Sequence, residues 1–174
     1  MQTKYLLAAE VDRVLAALTP SNRLVLRVML HTGLRVTDVL RLKPEQLKRR
    51  VWITECKTGK RRLIGFPADL LHDLKDHAGK HWVFPARNGT SHRTRQAVWS
   101  DVKRAAKAFR IPQNVGTHSA RKVFAVQLMR KYGDIEQVRK VLNHDRWQTT
   151  IIYACADQLM HQKYKRRSKK EAKY

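Results

Sequence analysis

Six side chains in this sequence have the types and order needed to exchange one phosphodiester for another: Arg35, Lys57, His118, Arg121, His144 and Tyr153. A tyrosine hydroxyl has a pKa near 10, so at neutral pH it attacks phosphorus only where its phenolate is stabilised. Two arginines can clamp a phosphate through their fork geometry at fixed charge. Cations on the equatorial oxygens make the phosphorus easier to attack. A lysine on a mobile hairpin can protonate the departing alkoxide. A histidine can take up the tyrosine proton or hydrogen-bond the phosphate. If the bond energy is held as phosphotyrosine, no step calls for a metal, nucleotide or other cofactor.

The elements that must position these groups follow from periodicity and punctuation. Val11, Val14, Leu15 and Leu18 recur at helical spacing over residues 8–18. Thr19-Pro20-Ser21-Asn22 breaks that helix and caps an apolar one over 23–32, which Gly33 ends. Leu34 to Leu42 reads as a short helix stopped before Pro44. That puts Arg35 at a helix–turn–helix junction, with Asp38 three residues on and on the same side. Residues 51–54 and 62–66 have strand character around Lys57-Thr58-Gly59-Lys60, which predicts a β-hairpin with Lys57 at or near its tip. A helix opens at Pro67 and runs to about His77, and Trp82-Val83-Phe84 reads as a short strand. Ser91 to Phe109 reads as one long helix whose basic first turn, Ser-His-Arg-Thr-Arg, could face phosphate. Helices are expected from Thr117 to Tyr132, from Asp134 through Leu142, and from Gln148 across Tyr153. The fold class expected is mainly α with one small antiparallel sheet.

The bulk properties narrow the partners. The 174 residues carry 37 Lys+Arg against 14 Asp+Glu, a formal net charge of +23, with a pI near 10.8. So large an excess repels itself unless a polyanion compensates it, which makes nucleic acid the first candidate. An anionic membrane is the weaker one, since no apolar run approaches the ~18 residues of a spanning helix. The start of the sequence does not read as a signal peptide. Cys56 and Cys155 have neither pairing nor ligand spacing, which fits a reducing cytoplasm. The eight histidines and two cysteines include no Cys-x-x-Cys spacing, and no metal site is expected. Residues 161–174 form a basic tail too charged to pack, which reads as flexible or as a nucleic-acid arm.

Taken singly, each candidate has an ordinary structural role open to it. Arg35 could be a salt-bridged arginine with Asp38 as partner, and Lys57 a solvated hairpin lysine. His118 and Arg121, spaced i and i+3, could be a surface pair. His144 could cap a helix, and Tyr153 could be half-buried. Order and spacing together say otherwise.

The chain resembles the catalytic domain of the tyrosine recombinases, the phage-integrase family. His31-Thr-Gly-Leu-Arg35-Val-Thr-Asp38 matches the family's first-arginine box, and Asp38 stands at its acidic support position. Lys57 in Cys-Lys-Thr-Gly-Lys matches the hairpin lysine, and His118-Ser-Ala-Arg121 the His-x-x-Arg box. Leu142-Asn143-His144 resembles the Leu-Gly-His box with Asn143 in place of glycine, and Tyr153 follows nine residues later as the nucleophile. The resemblance covers roughly residues 5–160. It implies a DNA breaking-rejoining fold over 1–160 and a site-specific recombinase of integrase, excisionase or invertase type. Tyr153 would form a 3′-phosphotyrosine on double-stranded DNA. Arg35 and Arg121 would hold the phosphate, with His118 and His144 assisting. Lys57 would protonate the 5′ oxygen. The resemblance further implies a homotetrameric synapse built from free monomers or dimers. The family's N-terminal core-binding domain is missing from this sequence, which fits either a short recombinase or a separated domain. Arg93, Arg95 and Lys103 are expected to contact DNA. The rival readings are a type IB topoisomerase, which usually has lysine where His118 stands, and a non-catalytic DNA-binding regulator.

Overall fold

A computed structural model describes residues 6–112 and 114–143. The chain divides into two compact units, Met1–Phe124 and Ala125–Tyr174. The first holds α1 (Ala8–Ala17), α2 (Pro20–Thr32), α3 (Val36–Leu40), a 3-10 turn (Pro44–Gln46), β1 (Arg50–Thr54), β2 (Arg61–Gly65), α4 (Ala68–His77) and α5 (Arg95–Ala108). Helix α6 (Thr117–Tyr132) begins in the first unit and ends in the second, where α7 (Ile135–Val141) follows. The expected class, mainly helical with a small antiparallel sheet, is the observed one. No described helix is long and apolar enough to cross a membrane.

Helix α2 is the hub of the first unit. Leu24, Val25, Leu26, Val28 and Met29 are all buried, while Arg23, Arg27 and His31 form its outer stripe, so a broad apolar face turns to the core. It packs against α1, α3, α4 and α5. Each such Leu or Val contributes about 1.5–3 kcal/mol by leaving water. Its start departs from the local capping expected at Thr19–Asn22. Thr19 is the N-cap and Pro20 the first helical residue, but the anion there is Asp101, from the middle of α5. Its Oδ2 accepts from the Thr19 amide (3.0 Å), the Thr19 hydroxyl (2.9 Å) and Asn22 Nδ2 (2.7 Å). A carboxylate against the positive end of a helix is favourable on charge alone. Those donors outweigh its partial burial and hold the Asp101 carboxyl down to about 2.

The hairpin is antiparallel, with Trp52 opposite Leu63 and Ile53 opposite Arg62. Alternation sends Ile53, Arg62 and Ile64 inward, while Trp52 and Leu63 stay exposed. Arg61 lies over the Trp52 ring, 5.3 Å from its centroid.

Two expectations fail. Trp82–Phe84 forms no strand: the Val83 amide donates to Leu42 O (2.9 Å), and the only ladder pairing nearby is a single bridge between Pro85 and His92. Ser91–Arg93 is not helical either. The bridge and the Arg93 amide bond to Phe84 O (2.7 Å) hold this stretch extended, and α5 starts at Arg95. Thr94 is its N-cap, with Oγ1 accepting from the Ala97 amide at 3.1 Å.

Candidate active site

Arg35 stands at the N-cap of α3 with an extended backbone, φ −71° and ψ 150°. The turn before it is tightly determined. Gly33 ends α2 at φ +62°, a region that costs an L-residue energy. A Cβ added there would lie 2.2 Å from the Phe124 ring of α6. The carbonyl of Gly33 accepts from Arg121 Nη1. Arg121 is itself buried, 3% exposed. The two arginines singled out from the sequence therefore meet at one turn, with Arg121 packed behind the corner that presents Arg35.

The carboxylate facing Arg35 is Glu55, not Asp38. Arg35 Nη1 donates to Glu55 Oε2. Glu55 is fully buried at the root of the hairpin loop. The same oxygen accepts from the Thr58 hydroxyl (3.1 Å), and Oε1 lies 3.9 Å from Arg62 Nη1. Arg62 also donates through Nη2 to Thr32 O at 2.6 Å, tying β2 to the end of α2. Burial lowers the Arg62 pKa, against the pull of Glu55 and Asp38. Asp38 supports the site differently: its Oδ1 accepts from the Cys56 amide (2.8 Å), pinning the strand end next to Lys57.

Lys57 is exposed on the loop between the strands, as the hairpin reading expects. The loop is closed by Glu55 N to Lys60 O (3.0 Å) and Gly59 N to Glu55 O (2.9 Å). Gly59 takes φ +66° with open space around it.

These groups surround an open pocket of about 560 Å³. Its charged and titratable lining is Arg35, Arg41, Lys57, His92, Arg95 and His118, with the Cys56 thiol beside them. No lining residue is acidic. Among the described residues, no cluster of three or more His, Cys, Asp or Glu side chains is placed to hold a metal. Burial lowers the His118 pKa, and Arg121, Arg95, Arg35 and Lys122 add to the effect by repulsion, so its ring is neutral at pH 7 and can accept a proton. Burial and the neighbouring Asp38 raise the Cys56 pKa, which keeps this thiol protonated.

Arg35, Lys57 and His118 thus share one pocket, and Arg121 braces it from behind. Of the three residues expected to contact DNA, Arg95 lines the pocket. Arg93 instead donates through Nε to Asn22 Oδ1 at 2.6 Å, which ties it to the start of α2. Lys103 bonds Asn114 Oδ1 and lies over the Trp99 ring, 5.7 Å from its centroid. His144 and Tyr153 lie outside the described residues, as does the tail.

The model of the phage integrase family matches residues 4–160 of this chain. The chain belongs to that family. It is 30% identical over 156 residues to the integrase of Escherichia phage P2, covering 88% of this chain and 43% of that protein. It is 28% identical over 164 residues to the tyrosine recombinase XerD of Shewanella oneidensis, covering 83% and 54%. Among solved structures it resembles the XerH site-specific recombinase bound to its difH substrate before cleavage. The TM-score is 0.70 at 24% identity, over 86% of this chain and 50% of that one. The chain therefore spans about half the length of the curated relatives it matches. The recombinase catalytic fold expected from the motifs is the one observed.

For a phage-integrase chain, one departure from the family motifs has a local explanation in the second unit. Asn143, where the family pattern has glycine, takes φ +50° after α7. Asparagine is among the few L-residues that enter this region readily, so the position does not require glycine.

Proposed function

We propose that this chain cuts and rejoins double-stranded DNA at specific sites through a 3′-phosphotyrosine intermediate. The observation that carries the reading is the shared pocket, into which three separate segments bring Arg35, Lys57 and His118 with no acid in the lining. We assign the nucleophile to Tyr153, which follows the Leu-Asn-His segment by nine residues as the family pattern expects.

In the forward step the Tyr153 oxygen attacks phosphorus and gives up its proton to a histidine, His118 or His144. The bond from phosphorus to the 5′ oxygen breaks, and Lys57 delivers a proton to that oxygen. Arg35, with Arg121 behind it, offsets charge on the non-bridging oxygens. A 5′-hydroxyl from a second strand then reverses each transfer and restores Tyr153. The phosphodiester energy is conserved throughout, so the exchange needs no added cofactor. We further assign the exchange to a four-protomer synapse on DNA, with the basic segment after residue 161 contacting a neighbour.

The test is covalent capture. Nicked duplexes carrying inverted repeats from the DNA flanking the gene are incubated with the protein and denatured. The expected result is a protein–DNA adduct with wild type and none with Tyr153→Phe, which still binds DNA. An adduct with Tyr153→Phe refutes the nucleophile assignment. Relaxation of supercoiled plasmid lacking any repeat would favour a topoisomerase instead.

A further inference from the structure

We infer that Glu55 is a positioning residue for strand cleavage, joining the phosphate-binding arginine to the loop that carries the proton donor. The inference rests on the recombinase reading above and adds a residue to it. Glu55 is wholly buried, two residues before Lys57 and far in sequence from Arg35. A buried carboxylate is costly unless it is paired, so its surroundings indicate its role. One oxygen, Oε2, accepts from Arg35 on the α3 corner and from Thr58 in the hairpin loop. The Glu55 main chain closes the same loop through its bonds with Lys60 and Gly59. The other oxygen faces Arg62, which is anchored to the end of α2.

This arrangement has two consequences. The guanidinium of Arg35 has five N–H donors in a fixed plane, and engaging one side with Glu55 orients the remainder. Arg35 is a lining residue of the pocket, so the donors not held by Glu55 are available to a phosphate there. Because the same carboxylate oxygen holds Thr58, the loop bearing Lys57 is set relative to Arg35 and not merely to its own strands. Asp38 does not duplicate this link, since its carboxylate meets the hairpin at the Cys56 amide and not the Arg35 guanidinium. Glu55 touches no reacting atom in this scheme and acts through Arg35 and the loop.

The two arms of the link separate by leaving-group chemistry. A substrate whose bridging 5′ oxygen is replaced by sulfur expels a thiolate, which leaves without a proton. It still requires the arginine at the non-bridging oxygens. Single-turnover cleavage is measured on nicked duplexes of both kinds, with DNA affinity and thermal midpoint recorded for each variant. Glu55→Gln is expected to bind DNA as wild type does and to cleave ~100-fold more slowly on the oxygen substrate and ~10-fold more slowly on the sulfur one, losses typical of a small misplacement of catalytic groups. Thr58→Val releases only the loop arm. It is expected to cleave the oxygen substrate ~10-fold more slowly and the sulfur substrate at the wild-type rate.

Folded Glu55→Gln that cleaves within twofold of wild type overturns the inference. So does a Glu55→Gln defect abolished entirely by sulfur, or a loss explained by weaker DNA binding. If Glu55→Gln does not fold, Thr58→Val decides: normal cleavage of the oxygen substrate overturns the inference. Failure of wild type to form adducts on either substrate refutes the recombinase reading instead.

Discussion

The corner that presents Arg35 and the loop that presents Lys57 lie on the same pocket and are built in opposite ways. The corner is over-determined. Gly33 sits against the Phe124 ring, Arg121 is buried behind its carbonyl, and Glu55 holds the guanidinium. The loop is exposed, with open space around Gly59, and Lys57 itself is solvent-facing. A group that stabilises developing charge works best when it is already in place, because reorganisation then costs nothing at the moment of reaction. A group that delivers a proton must reach an oxygen whose position depends on the DNA. The fixed cation belongs on the packed element and the proton donor on the exposed one. Glu55 and Asp38 keep the two from drifting apart.

The largest expected effect separates two glycines with nearly the same backbone angle. Gly33→Ala adds a Cβ into the Phe124 ring at positive φ and should destabilise the protein by about 3 kcal/mol through clash and strain together. Gly59→Ala meets nothing and should cost about 1 kcal/mol from the backbone angle alone. Chemical denaturation of both variants checks this, and equal losses would erase the contrast.

A smaller effect tests the opposite end of α2 from the corner. Asp101→Asn weakens the anion at the start of α2 and should cost about 1 kcal/mol at pH 7. The folded carboxyl sits at about 2, below its ordinary 3.8. Its contribution is therefore complete above pH 3.8 and disappears as pH falls towards 2. Melting curves across that window should show wild type and Asp101→Asn converging as the acid end is approached.

The smallest effect concerns His118. Its folded pKa lies below 6.5, so the free protein is most stable above that pH and loses this contribution as pH falls beneath it. A DNA phosphate in the pocket favours the protonated ring. DNA affinity should then rise as pH drops from about 7 to 6, by less than the tenfold per unit that one proton allows. His118→Gln should flatten that dependence in a binding titration at fixed salt.

Much of this organisation was legible in the sequence, and the failures have physical causes. The hairpin, the helices and the turn at Gly33 follow from periodicity and from a glycine placed where a left-handed residue was needed. The basic pocket was legible from the order of Arg35, Lys57 and His118. The start of α5 was placed too early because Ser91–Arg93 has helical composition, and only the bridge to Pro85 and the Phe84 carbonyl make it extended. The bond from Arg93 Nε to Asn22, distant in sequence, had no local signal. Glu55 went unnoticed because an acid at a strand end usually faces water. Nothing local signals that α3 will bring an arginine over it. Pairing Arg35 with Asp38 was a local inference from three-residue spacing, and a tertiary contact overrode it. His92 and Arg41 join the pocket lining without any sequence signal beyond basic character.

The division of labour between corner and loop is tested most directly by single-turnover cleavage with Arg35→Ala and Lys57→Ala on paired oxygen and sulfur leaving groups. On the oxygen substrate Lys57→Ala should be slowed ~100-fold or more, as loss of a general acid requires. Sulfur should return it to near the wild-type rate, while Arg35→Ala should remain ~100-fold or more slow on both. Equal slowing of Lys57→Ala on the two substrates, or recovery of Arg35→Ala with sulfur, would contradict these assignments.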